Sequence, residues 1–170
     1  MPTRDAPDAV TLLKEDHRRV EALFSEFQKA KGDGAKKRIA ENICAELIVH
    51  TELEEKIFYP ACEGKVKEDD LQEAYFEHDS AKVLIAEIAN GGPDDDFYEA
   101  KVKVLQEEIE HHVKEEEGWL NGIFSQAKRH GVDMDALGEE LAERQKALFA
   151  EIDEKGLPKV KLTTMEKTRV

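Results

Sequence analysis

Apolar residues along this chain recur at spacings of three and four, the period of a helix with one buried face, and no useful length alternates as a strand would. Val10, Leu13, His17, Val20, Phe24 and Phe27 form the first stripe, predicting a helix over about 8–31 with Asp8 as its N-cap. Gly32-Asp33-Gly34 breaks it. A second helix over about 35–59 is striped by Ile39, Ile43, Leu47, His50, Glu54 and Ile57, and Pro60 stops it. The third, over about 70–90, shows Leu71, Ala74, His78, Ala81, Ile85 and Ile88 before Asn90-Gly91-Gly92-Pro93. The fourth, over about 96–129, shows Leu105, Ile109, His112, Glu116, Trp119 and Ile123, and a shorter fifth covers about 135–153. Four long helices with short connections predict an all-α fold: an antiparallel up-down-up-down four-helix bundle with an additional C-terminal helix.

Six polar residues interrupt these stripes, and they come in duplicate. His17 is followed 33 residues later by His50 and then Glu54; His78 is followed 34 residues later by His112 and then Glu116. Positions i and i+4 of a helix lie one above the other, so each His-x-x-x-Glu pair converges on one point. Counting residues to each turn at 1.5 Å per residue puts His17 and His50 at one level and leaves about 6 Å of disagreement between His78 and His112. A lone histidine on an apolar stripe is ordinarily a core residue bonded to a neighbour. A buried carboxylate without a partner costs several kcal/mol, however. Two hairpins that both place His opposite His-x-x-x-Glu instead predict a dinuclear metal site of His17, His50, Glu54, His78, His112 and Glu116. Imidazole suits iron, copper, nickel and zinc, and carboxylates suit hard cations.

These segments resemble the hemerythrin-like family, the HHE cation-binding domain. The resemblance rests on Glu15-Asp16-His17, on His50 to Glu55 running into Phe58-Tyr59-Pro60, on Glu77-His78, and on His112 to Glu117; it covers about residues 8–130. It implies a four-helix bundle around a non-haem centre of two iron ions, oxo- or hydroxo-bridged, with manganese compatible with the same ligands. The four histidines would be terminal ligands and Glu54 and Glu116 bridges. Two departures stand out. The second motif lacks the Phe-Pro ending and has Asn121-Gly122, so the fourth helix is expected to continue or bend there. Oxygen-carrying members also have a fifth histidine one turn from the third-helix ligand, where this chain has Ala74 and Lys82. Each metal would keep open positions, which favours reactivity or sensing over simple oxygen carriage.

The net charge is −14, divided as −18 up to residue 154 and +4 from Lys155 onward, where Lys155, Lys159, Lys161, Lys167 and Arg169 face one acid, Glu166. The acidic body disfavours nucleic acid and anionic membranes as partners. No apolar run reaches the roughly 18 residues of a membrane span, and the first ten residues lack a secretory hydrophobic region, so the expected location is cytoplasmic. Domain organisation reads as a helical domain over 1–154 (bundle about 8–130, extra helix about 135–153) followed by a basic, flexible tail over 155–170. Cys44 and Cys62 match no metal or redox spacing and read as packing residues.

Asp16 and Glu77, each preceding a ligand histidine, are candidates to hold an imidazole N–H of an adjacent helix. Glu55, Glu115 and Glu117 are assigned to solvent or to the layer behind the ligands. His111 belongs to a helix boundary, His130 to a helix end, and Tyr59 or Tyr75 could reach the centre. The expected function is interaction of the di-iron centre with O₂, peroxide, NO or another small ligand, in sensing, stress protection or scavenging. The alternatives are an iron storage or iron-availability sensing module without turnover, and a metal-free structural bundle. Whether the chain is an enzyme stays open.

Overall fold

A computed structural model describes residues 6–165. Among them there is no strand. Helix α1 spans Ala9–Lys29, capped by the Asp8 carboxylate accepting from the Thr11 amide at 2.8 Å. Helix α2 spans Asp33–Leu53 and runs into a π-helical turn, Glu54–Phe58, and the short α3, Tyr59–Cys62. Helices α4, Glu68–Asn90, and α5, Tyr98–Glu117, form the second hairpin. Beyond them come α6 over Ile123–Arg129 and α7 over Met134–Lys155. No helix among the described residues is long and apolar enough to cross a membrane.

Helix α1 packs on α2 and α5, and α4 packs on the same two, closing a ring of four. Short connections between consecutive members produce this neighbour order in an antiparallel bundle. Helix α7 lies outside the ring against α1 and α2. Gly138 makes that docking close: a Cβ there would stand 2.1 Å from the Pro7 carbonyl oxygen.

The apolar core is split into two clusters. One contains Leu13, Leu53, Phe58, Phe124 and Leu141; the other contains Phe24, Ile43, Leu47, Ile85 and Leu105. Each such side chain contributes about 1.5–3 kcal/mol on full burial. On α1, α2 and α4 the candidate ligand histidine falls where the chain passes from one cluster to the other, so the histidine layer is sandwiched between two dry ones. All four ligand histidines are buried, and Glu54 and Glu116 are fully so.

Three expectations change. The fourth predicted helix, drawn over about 96–129 and expected to continue or bend at Asn121-Gly122, breaks at Gly118–Gly122 between α5 and α6. The turn is tight: a Cβ on Gly122 would lie 2.4 Å from the Gly118 carbonyl oxygen. As a result Trp119, placed on the buried stripe, is 87% exposed, while Ile123 re-enters the core on α6. The flexible-tail expectation also needs revision: Leu157 and Val160 pack on the bundle, and Thr163 and Thr164 hydrogen-bond to Asp79. Glu166, Lys167 and Arg169 lie outside the described residues. Both cysteines are buried and free, and burial pushes each thiol up to about 12, as packing residues require.

Candidate metal centre

Helical spacing brings the predicted six together from four helices and the π turn. His17 Nε2 lies 3.2 Å from His50 Nε2, and His78 Nε2 lies 3.1 Å from His112 Nε2. About half of the 6 Å disagreement from loop counting disappears because α5 starts at Tyr98, two residues later than its predicted start. Two pairs result, one per hairpin. Glu54 Oε1 is 2.9 Å from His50 Nε2 and 3.2 Å from His78 Nε2; Glu116 Oε1 is 3.2 Å from both His17 Nε2 and His112 Nε2. Each carboxylate therefore reaches one histidine of each pair. Two separate sets, His17–His50–Glu116 and Glu54–His78–His112, each have their donor atoms close enough to share an ion.

Behind the histidines stands a second ring of carboxylates. His17 Nδ1 meets Glu117 at 2.6 Å, His50 Nδ1 meets Asp16 at 3.1 Å, His78 Nδ1 meets Glu55 at 3.2 Å, and His112 Nδ1 meets Glu77 at 2.8 Å. A carboxylate only accepts, so these contacts call for an Nδ1–H donor and leave each neutral ring's Nε2 lone pair facing inward. That is how a protein orients a metal-ligating histidine. Every outer carboxylate is the chain neighbour of a ligand, and every one serves a histidine on another helix.

The electrostatics reflect this arrangement. Burial alone would lower His50, but the Glu54 charge and the Asp16 hydrogen bond carry it well above the usual imidazole range. Burial likewise opposes the proton on His112, and Glu116, Glu54 and Glu77 reverse the balance. Burial would raise Glu54, yet His50 foremost holds it well below the usual carboxylate range. For Asp16, Glu55, Glu77 and Glu117 burial is again outweighed, chiefly by the histidine each one touches, so the outer ring stays ionised.

Tyr59 is the residue that periodicity does not place. In a regular helix at 3.6 residues per turn it would lie about 140° around from Glu54. The wider π turn, closed by the Tyr59 amide on the Glu54 carbonyl, brings it back. Its hydroxyl sits 2.9 Å from Glu116 Oε2 and within 3.2–3.3 Å of His112 Nε2, His78 Nε2 and Glu54 Oε1. Burial, then Glu116 and Glu54, push this phenol well above its usual range. Tyr75 reaches only a backbone carbonyl, that of Glu55. His111 is on the surface with Glu77 and Glu115, and His130 ends α6.

The donor set suits a pair of transition-metal ions. Glu54 Oε2 and Glu116 Oε1 are buried without a hydrogen-bond partner, although Glu116 Oε1 has two imidazole nitrogens at 3.2 Å. A bound cation would satisfy buried oxygens orphaned in this way. A small cavity of about 10 Å³ is lined by the four histidines together with Val20, Leu47, Ile109 and Val113. That is about the minimum for one water-sized molecule.

Comparison with known proteins bears on the fold and the family. The fold is shared with a crystal structure of a hemerythrin HHE cation-binding-domain protein, the Rv2633c homologue from Mycobacterium kansasii, at a TM-score of 0.74. That match covers 89% of this chain and 95% of the other at 20% identity. A DNA nickase of Nostoc sp. (strain PCC 7120) is 29% identical over 109 residues, 64% of this chain and 31% of that protein. The chain thus spans under a third of that relative's length. Residues 8–124 match the hemerythrin HHE cation-binding domain itself, and the chain belongs to that family.

Proposed function

We propose that the protein is a non-haem di-iron protein whose centre interacts with O₂, peroxide, NO or a ligand of similar size, in sensing, stress protection or scavenging. One metal would be held by His17 and His50 and the other by His78 and His112, with Glu54 and Glu116 bridging. Manganese suits the same oxygen and nitrogen donors. The observation that carries the reading is the double orientation of the site: four Nε2 atoms face in, four Nδ1 atoms rest on carboxylates, and two orphaned carboxylate oxygens lie between the pairs.

When bound, a redox-active metal pair supplies Lewis acidity and a reversible change of charge. The chain's own residues exclude bulk water and fix the ligand rings. They leave a cavity of about 10 Å³ against the four histidines. Tyr59 offers a hydroxyl within reach of the His78–His112 pair and can hold or give a proton at that oxygen. The acidic balance of the body argues against nucleic acid as its partner.

Purification without oxygen, metal counting, and an optical spectrum before and after air test the reading. Two irons per chain and a new ferric charge-transfer band on exposure are expected. Bound iron indifferent to oxygen would favour a storage or iron-sensing module instead. Protein that takes up no metal would leave only a structural bundle.

A further inference from the structure

The residues after α7 do not leave the bundle. Leu157 and Val160 pack on the apolar cluster around Ile85, and the chain then crosses the groove between α2 and α4. There three consecutive backbone amides wrap one buried carboxylate: Thr163 N donates to Asp79 Oδ1 at 2.8 Å, Thr164 N to Oδ2 at 2.5 Å and Met165 N to Oδ2 at 2.9 Å. Successive N–H groups in this form make an anion-binding nest, here used by the chain on itself. The Thr164 hydroxyl adds a bond to Asp79 at 2.7 Å.

The same segment reaches the outer ring of the metal centre. The Thr163 hydroxyl donates to Glu55 Oε1, while Glu55 Oε2 accepts from His78 Nδ1 at 3.2 Å and pairs with Lys82 Nζ at 2.7 Å. Lys82, itself buried, also donates to the Lys161 carbonyl at 2.9 Å. A continuous path thus runs from Thr163 through Glu55 to His78. This segment lies beyond residues 8–124, the span matched to the family. Glu117, the counterpart of Glu55, has no such tether and is held by the surface residue Arg18 at 2.5 Å.

We propose that the C-terminal segment Lys161–Met165 is a working part of the metal centre, with Thr163 and Asp79 as positioning residues that clamp Glu55 and, through it, His78. The proposal rests on the di-iron reading above. Its consequence is inequivalence: the metal on the His78–His112 side is held by the strap, and the one on the His17–His50 side is not.

The test monitors metal release from the loaded full-length chain to an excess of a coloured chelator. Thr163→Val keeps shape and removes the donor to Glu55, and Thr163→Ser restores it. Loss of a carboxylate behind a ligand histidine costs roughly 10–100-fold in metal affinity, and Thr163, one layer behind Glu55, should act at the low end of that range. Thr163→Val should therefore release one of two metals faster by a factor of that order, with the other unchanged and the serine variant like wild type. Asp79→Asn should act on the same metal. Hydrogen exchange of the Thr163, Thr164 and Met165 amides in metal-free protein reads docking independently of any metal, with protection expected in the wild-type chain and loss in Asp79→Asn. Release of both metals at wild-type rates from Thr163→Val overturns the proposal. Unprotected amides in the wild-type chain overturn the strap alone, and a wild-type chain that takes up no metal overturns the strap's role together with the reading beneath it.

Discussion

On the α1–α2 side of the centre, His17 rests on Glu117, which is held by Arg18, more than half exposed. On the α4–α5 side, His78 rests on Glu55, which is held by buried Lys82 and by Thr163. The inner ligands of the two sides are related almost as by a two-fold axis. Asp16 serves His50 as Glu77 serves His112, and Glu117 serves His17 as Glu55 serves His78. The turns that end the two His-x-x-x-Glu motifs differ. After Glu54 the chain widens into a π turn and inserts Tyr59 beside His78 and His112; after Glu116 it turns outward at Gly118–Gly122 and exposes Trp119. A repeated helical motif thus supplies equal ligands, while its turns and tail supply unequal surroundings.

The largest expected effect removes what the two sides share. Glu54→Ala and Glu116→Ala each delete a group that touches a histidine of both pairs. Each should lower bound metal from two per chain to one or fewer by elemental analysis. Substitutions in the outer ring should separate the sides. Asp16→Asn should weaken the His17–His50 metal and Glu77→Gln the His78–His112 metal, each by about 10–100-fold in competition with a chelator. Tyr59→Phe sharpens the contrast further: metal content should stay at two while the optical spectrum of the ferric form shifts, because the phenol sits beside one pair only.

Smaller effects belong to the turn that breaks the symmetry. Gly122→Ala forces a Cβ against the Gly118 carbonyl, and overpacking of this kind costs about 1–3 kcal/mol in denaturant unfolding. Trp119→Ala, at an exposed site, should change stability by no more than about 0.5 kcal/mol. A large loss there would show that the indole is covered in solution.

The convergence of the six candidate ligands was legible because helical geometry is local: i and i+4 on a stripe must share a face, and all six stripe positions are buried. Asp16 and Glu77 were legible as neighbours of ligands, since a residue one step from an inward position lies at the helix boundary and can lean on the next helix. The same signal, an acid one step from a candidate ligand, also marks Glu55 and Glu117, but it marks Asp79 and Glu115 equally, so it does not single out the outer ring. Tyr59 was legible only as one of two candidates beside Tyr75, because one extra residue in a turn moves everything after it, and no propensity rule announces a π turn. The break at Gly118–Gly122 was readable from the glycine pair, yet the apolar spacing of Trp119 and Ile123 pointed to a continuous helix. The C-terminal segment carries no period at all; its docking depends on the Asp79 carboxylate, distant in sequence.

The most direct measurement of the central claim is the metal count of the wild-type chain purified without oxygen, beside Glu54→Ala and Glu116→Ala prepared alike. Two ions per wild-type chain, with one or fewer in each variant, is the predicted result. A wild-type chain with no metal, or variants that retain two tightly held ions, would contradict it.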